Sequence, residues 1–326
     1  MNFTTPPPEL VPFGLRAVKM VATAQGPLHP TQRSMLDLAQ RLVLGTQLDI
    51  DQLEPITPEA LATAIPMPEG RARVIRGMVL ICMGRGEVSQ GDAAAIERYA
   101  SVLGVEEHAV TNLRQLAEGR IALLRYDVNR RAFTGQAIAE AREKDGLFAL
   151  LRAAAARAGF LEDEQTAAKY EGLARYPEHT LGRELWEYYQ RNNFPVPGRL
   201  HAIPALATVH DLCHVLSGYG VDPIGEIEVV AFQAGFVERD PLSTLFVAVL
   251  QSHMDVRLVA IAGSRKGSLD DPAVLERMFR AAKRGSLVNR DLFNHWDYWP
   301  ELSKDVSSVR EALGVVPAEA PASAAR

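Results

Sequence analysis

HDLCHVLSGYGVDPIGE, residues 210–226, gathers two histidines, two aspartates and a glutamate in a stretch that is otherwise mostly apolar. Continued from ALATV before it, the first part reads as a helix. Each residue turns an α-helix by roughly 100°, so His210 and His214, four apart, lie one above the other on one face. Asp211 lies roughly 100° from His210 and nearer to His214, which puts all three side chains within about a third of the circumference. Leu212, Val215 and Leu216 fall elsewhere and can pack. Gly218 and Gly220 are candidate helix stops. Asp222-Pro223 then supplies a cap and a first helical position for a second helix. Glu226 falls in its first turn, beside an apolar stripe of Ile227, Val230, Ala231 and Ala234. A bare carboxylate there is costly, and the glycine turn lets the second helix fold back and aim Glu226 at the histidine pair.

The same pattern of caps and stops recurs along the chain. Thr57-Pro58-Glu59 offers an N-cap, a proline at the first helical position and an acid in the first turn. Ser89 with Asp92 predicts a capping box before a helix that stops near Gly104. Asp271-Pro272 opens a helix that Gly285 closes. Strand signals are scarce, so the expected fold class is all-α: two helical domains, the C-terminal one carrying a metal site between two helices.

Composition narrows the function. The chain has 326 residues, 47% hydrophobic and 23% charged, with a formal net charge of −5. That balance lacks the basic excess needed to meet phosphates, so a nucleic-acid partner is not expected. Two cysteines, Cys82 and Cys213, make no disulfide framework and suit a reducing cytoplasm. MNFTTPPPELVPFG at the start has no basic segment followed by an apolar run, as a secretory leader would. The longest apolar run, residues 242–263, is interrupted by Asp255 and Arg257 and reads as a buried helix rather than a membrane span.

Residues 1–15 and 317–326 are rich in proline and alanine, lack periodicity and read as loose tails. Residues 16–160 form one helical half whose histidines, His29 and His108, are far apart. Residues 161–316 hold the other six histidines and all three tryptophans. In the first half, GMVLICMGRGEVSQGDAAAIERYASVLGV (77–105) resembles the small helical TerB-like domains named after tellurite-resistance proteins. The acid that usually leads their turn between helices is missing from Gly84-Arg85-Gly86-Glu87.

Two imidazoles and one or two carboxylates converging on a point make a site for a first-row divalent metal. The i, i+4 histidine pair is also used by the metalloprotease helix, where the residue after the first histidine is a glutamate that reaches bound water. Asp211 is one methylene shorter. It is better suited to bind a metal directly, or to hydrogen-bond a ligand, than to activate water.

H-D-x-x-H, eleven residues and E, here His210, Asp211, His214 and Glu226, resembles the signature of the Coq-four family of ubiquinone-biosynthesis proteins. The likeness extends through GYG (218–220), GEIEVVAFQAG (225–235), the T-L-G-R-x-aromatic segment within PEHTLGRELWEYYQRNNF (177–194), and NHWDYWPELSKDVSSVREALGV with its V-R-x-x-L-G. It covers about residues 165–315. The resemblance implies a helical domain binding a divalent metal, zinc in the first instance, through His210, Asp211, His214 and Glu226. It implies a role in coenzyme Q assembly: removal of the C1 carboxyl of a polyprenylated benzoate-type precursor, coupled to ring hydroxylation. It also implies work at the inner face of a membrane beside other quinone-biosynthesis enzymes. The N-terminal half is an addition to the family pattern, and no mitochondrial transit peptide is evident. A bacterial-type relative acting on another prenylated lipid or quinone also fits.

Two histidines and a carboxylate with open positions also suit Fe(II). Arg183 is a candidate to hold a substrate carboxylate in a forked pair, with a surface ion pair as the alternative. His253 is a candidate to orient a metal-bound histidine, with a hydrogen-bonded core residue as the alternative. His201 is expected on a loop rim, and Trp296 and Trp299 in packing of the last helix. Cys213 faces away and is not counted as a ligand. Phe246, Val249, Leu250 and Met254 are core candidates that could otherwise line a prenyl groove. Two other functions compete with the enzyme reading. One is a non-catalytic prenyl-lipid scaffold with a structural metal. The other is a hydrolase resembling the gluzincins, which requires Asp211 free to act as base.

Overall fold

A computed structural model of the chain describes residues 6–131, 162–202, 205–238, 241–257 and 265–316. Among these, fourteen α-helices are joined by short 3-10 turns and one π-helical turn. No strand occurs among the described residues; two isolated bridges, Thr180 with Asp305 and Met254 with Lys266, are the extent of extended pairing. The all-α expectation holds, and no described helix is long and apolar enough to cross a membrane.

The residues fall into two compact units. The first comprises Met1–Val128 and Arg239–Lys283, the second Asn129–Glu238 and Arg284–Arg326. The boundary expected near residue 161 lies in a part of the chain outside the described residues. Residues 239–283, expected in the C-terminal domain, group with the first unit.

In the first unit, α1 (Val11–Ala22), α3 (Pro58–Ala64), α4 (Pro68–Met83), α5 (Gln90–Leu103) and α6 (His108–Ala117) surround a core of Leu15, Val21, Leu61, Ile75, Met78, Ile96 and Leu113. α2 (Pro30–Leu38) joins α4, and α7 (Ile121–Arg131) follows α6. Residues 8–15, expected in a loose tail, are helical instead. Val11 and Leu15 are buried, and that burial offsets the entropy of ordering them. The predicted caps are present: Thr57 accepts from the Ala60 N–H, Ser89 and Asp92 form the capping box, and Gly104 takes the left-handed conformation.

α12 (Pro241–Ser252) lies against α4 and α6, with Phe246, Val249 and Leu250 buried. The apolar run 242–263 is therefore not one helix. It ends at Ser252, where the Gln251–Asp255 backbone pairs with Arg265–Gly267. His253 sits in this turn with 1% exposure. Its Nε2–H donates to the Gly84 carbonyl at 3.3 Å, and its Nδ1 accepts the Leu269 N–H at 3.3 Å. It joins two turns of the first unit, the core role given as its alternative. α13 (Pro272–Gly285) begins where predicted, with Asp271 Oδ1 accepting the Ala273 N–H.

The second unit is built on α8 (Glu164–Glu171), α9 (Leu181–Arg191), α10 (Thr208–Ser217), α11 (Pro223–Phe236) and α14 (Val306–Leu313). α9 is strongly two-faced. Leu181, Leu185, Tyr188 and Tyr189 are buried, and α10 and α14 both pack against this helix. α10 buries Leu212, Cys213 and Leu216 completely, at roughly 1.5–3 kcal/mol for each leucine. Backbone bonds from Leu181 and Gly182 to the carbonyls of Lys304 and Leu302 tie the start of α9 to the segment before α14. The predicted tail 317–326 lies outside the described residues.

Candidate metal centre

α10 ends at Gly218, whose φ of 79° is the left-handed conformation that favours glycine. Four residues later Asp222 caps α11, its Oδ1 accepting the Ile224 and Gly225 N–H groups. Gly225 is required for another reason. A Cβ there would lie 2.1 Å from the Gly220 carbonyl oxygen, so only glycine lets the turn close this tightly on α11. The closed turn sets the first turn of α11 beside the face of α10 that carries the histidines.

Three side chains converge there. His210 Nε2 and His214 Nε2 are 3.2 Å apart. Glu226 Oε2 is 3.4 Å from His210 Nε2, and its Oε1 is 3.4 Å from His214 Nε2. A metal held at 2.0–2.1 Å from each donor in a tetrahedron has donor–donor edges of about 3.3–3.4 Å; an octahedron of the same bonds has edges of about 2.9 Å. The two carboxylate contacts end on different oxygens of Glu226, and one donor atom from each of the three residues lies within 4.8 Å of the others, which brings the set within reach of a single ion of either geometry. The His214 side chain is 1% exposed, that of His210 31% and that of Glu226 41%. The centre is therefore walled on one side and open on the other, as a site that keeps a position for water or substrate must be.

The charges are set for a cation. Burial works against ionisation of Glu226, but hydrogen bonds and charge from His210 and His214, when these are protonated, outweigh it and hold its carboxyl down at about 2. Its position at the amino end of α11 adds a favourable dipole. Burial also opposes a charge on His210, yet Glu226 beside it raises the imidazole above its ordinary value. The proton that two histidines and a carboxylate attract is the electrostatic counterpart of a bound cation.

The ring nitrogens facing away from the centre are also engaged. His214 Nδ1 is 3.1 Å from the Tyr219 carbonyl. A carbonyl only accepts, so Nδ1 carries the hydrogen and Nε2 presents its lone pair inward. His210 Nδ1 is 2.8 Å from the side-chain amide of Gln233, itself 1% exposed. As placed, Gln233 Nε2 faces Nδ1 and donates to it; turning the amide by 180° brings its oxygen to the ring, where it accepts the Nδ1–H and leaves His210 Nε2 free in the same way. The Tyr188 ring stacks on His214, centroids 5.6 Å apart and planes at 24°.

Asp211 does not join the three. It is 4% exposed and turned toward α9, where its Oδ2 accepts the Tyr189 hydroxyl at 2.8 Å and its Oδ1 that of Tyr188 at 3.4 Å. The expected set of four donors is thus three in the structure, because Asp211, a rotation of one residue from His210, faces the neighbouring helix. Burial pushes its carboxyl up to about 6, against the opposing pull of His210 and the two phenols. The hydroxyl chain continues inward: Tyr170 lies 2.8 Å from both Thr208 Oγ1 and the Tyr298 hydroxyl.

The other candidates lie apart from this centre. His253 belongs to the first unit. Arg183 donates to Glu187 at 2.7 Å and to the Ala174 carbonyl at 2.6 Å, and its guanidinium lies over the Trp186 ring. It is committed to its own helix, the surface ion pair given as its alternative. His201 has a φ of 63° and is exposed. Trp299 is on a 3-10 turn, 5.3 Å from the Tyr170 ring centroid. Cys213 is fully buried and its thiol is pushed up by that burial, so it offers no thiolate.

Sequence reasoning missed Gln233, Tyr219, Tyr188 and Tyr189. Gln233 had a signal: it is seven residues after Glu226, two helical turns along the same face, and the one amide in an apolar stretch. The role of the Tyr219 carbonyl, a backbone atom, leaves no trace in residue type.

No family model matches the chain, and no curated protein does. Among solved structures, the chain is similar to a candidate ubiquinone biosynthesis protein from Nostoc punctiforme, at 19% identity. The match covers 63% of this chain and 94% of that one, with a TM-score of 0.35. A superposition that loose bears on neither fold nor chemistry.

Proposed function

We propose that the chain is a metal-dependent enzyme of ubiquinone biosynthesis, of the Coq-four type, that removes the C1 carboxyl of a polyprenylated benzoate-type precursor together with hydroxylation of the ring, with dioxygen as the oxidant that supplies the oxygen atom. The observation that carries the metal dependence is the convergence of His210 Nε2, His214 Nε2 and the Glu226 carboxylate, with the nitrogens 3.2 Å apart, each 3.4 Å from one carboxylate oxygen, and one side open. The substrate and reaction rest on the sequence resemblance around those residues.

His210, His214 and Glu226 would hold the ion, zinc by the donor types of two imidazoles and a carboxylate, with Fe(II) the second choice. Bound there, the ion supplies a Lewis acid that stabilises negative charge on a carboxylate or phenolate oxygen. The residues of the chain do the rest. His214 is fixed by the Tyr219 carbonyl and by the stacked Tyr188 ring, so one wall of the site is rigid. Phe194, 41% exposed, meets Tyr188 edge to face at 5.9 Å. That pair continues the aromatic wall outward to where the ring of a substrate and its prenyl tail would arrive.

Asp211 counts against the gluzincin-like hydrolase. That reading needs it free as a base, and it is buried under two phenols. Phe246, Val249 and Leu250 are core of the first unit, so the prenyl groove once considered there has no support.

The test is turnover. Zinc- and Fe(II)-loaded protein is given a short-chain prenylated hydroxybenzoate under oxygen, and the product is read by mass for loss of CO2 and gain of one oxygen atom. Product with the wild type and none with the His210→Ala, His214→Ala double variant supports the proposal. Loaded protein that extracts the lipid and converts none of it favours the scaffold.

A further inference from the structure

We infer that Arg310 and Arg284 are positioning residues for the metal centre: they fix the carboxyl end of α10 and, with it, the Tyr219 carbonyl that orients His214. The inference rests on the metal reading of the site.

A helix leaves its last four carbonyls without partners in the helix. In α10 these belong to His214, Val215, Leu216 and Ser217. The first accepts the Gly218 N–H at 2.8 Å. The other three go to side chains distant in sequence. Arg310 donates from Nη2 to the Val215 carbonyl at 2.8 Å and from Nε to that of Leu216 at 2.9 Å. Arg284 donates from Nη2 to the Ser217 carbonyl at 3.0 Å.

A helix that stops at a left-handed glycine usually satisfies these carbonyls with the amides that follow. Here those residues are used otherwise. The Tyr219 N–H turns to Ser217 Oγ at 3.3 Å, and the Tyr219 carbonyl turns to His214 Nδ1. The Tyr219 amide that would cap the helix is spent on the Ser217 hydroxyl, and the two arginines take its place.

Arg284 also acts on Tyr219 directly. Its guanidinium carbon is 4.8 Å from the centre of that ring and 5.9 Å from that of Phe232. It is anchored in turn by the Val316 carbonyl. Residues 214 to 219 are thus held from both ends. Arg310 lies in the V-R-x-x-L-G segment, whose arginine acquires by this geometry a role at the metal centre. A lysine would not substitute: one ammonium cannot meet two adjacent carbonyls with the fixed fork of a guanidinium.

The experiment uses the full chain and zinc alone. Zinc affinity is measured by competition with a chelator for the wild type, Arg310→Lys, Arg310→Gln and Arg284→Lys, with melting temperatures taken with and without zinc. Arg310→Gln is expected to weaken binding about 10–100-fold, as for groups that orient metal ligands, with Arg310→Lys between it and the wild type. The rise in melting temperature on saturation should shrink in step.

Variants that melt lower but bind zinc as tightly as the wild type would overturn the inference, since a purely structural arginine lowers both states alike. Should a variant not fold, hydrogen exchange of the wild type decides. Coupling is reciprocal, so zinc should slow exchange in Val306–Leu313, and unchanged exchange there overturns the inference. A wild type that binds no zinc removes the metal reading itself and the positioning role with it, an outcome distinct from variants that bind as the wild type does.

Discussion

The Tyr189 hydroxyl donates to Asp211 across 2.8 Å, and this bond draws away from the metal centre the carboxylate that its sequence neighbours most suggest as a ligand. Asp211→Asn, whose amide oxygen can accept from Tyr189 while its NH2 donates to the Tyr188 oxygen, should leave zinc affinity within about threefold of wild type. Asp211→Ala should cost about 1–3 kcal/mol in urea unfolding, because buried donors lose their acceptor. Loss of zinc in the Asn variant would return Asp211 to the ligand set.

Gln233 tests the tautomer of His210. Gln233→Glu retains an acceptor for the Nδ1–H and should bind zinc at least as well as the wild type. Gln233→Met, of similar volume with no strong acceptor, should bind about 10–100-fold more weakly. Equal affinities in a chelator competition would mean that the amide only packs.

Gly225 tests the hinge. Gly225→Ala places a methyl where the Gly220 carbonyl now lies, which should cost about 1–3 kcal/mol and lower zinc affinity by moving Glu226. Gly172→Ala, where an added Cβ meets nothing within 4 Å, is the control and should stay within about 0.5 kcal/mol. An affinity in Gly225→Ala equal to the control's would show that the close approach is not what sets the ligand geometry.

His253 predicts a pH dependence in the first unit. Burial lowers its pKa, with His29 adding to that and Asp270 and the Gly84 carbonyl opposing it. The unfolded chain therefore takes up the proton more readily than the folded one. The stability that neutral His253 contributes is complete above about pH 6.5 and falls as the pH drops from there toward the folded value. Chemical unfolding at pH 8, 6 and 5 should show this loss, and His253→Gln should flatten it. An identical pH profile in the variant would remove His253 as the cause.

Much of this was legible in the sequence because helix ends are local. Thr57, Ser89, Gly104, Gly218, Asp222 and Asp271 all act within a few residues of themselves, and the i, i+4 pair with a glycine turn and Glu226 follows from helical rotation alone. What was not legible depends on which helix comes to lie alongside. Asp211 fits a ligand by rotation, and only the placement of Tyr188 and Tyr189 on α9 turns it away. The apolar run from Leu242 looked continuous because hydropathy does not register the backbone pairing of Gln251–Asp255 with Arg265–Gly267 that ends the helix. The assignment of residues 239–283 to the first unit is a long-range fact with no local sign.

The most direct test of the account is metal content. Wild-type protein and the His210→Ala, His214→Ala double variant are each incubated with a small excess of zinc, desalted and analysed for zinc and protein together. The account predicts one ion per wild-type chain and none in the variant. A wild type without zinc, or a variant that keeps it, would contradict the claim that His210, His214 and Glu226 hold the ion.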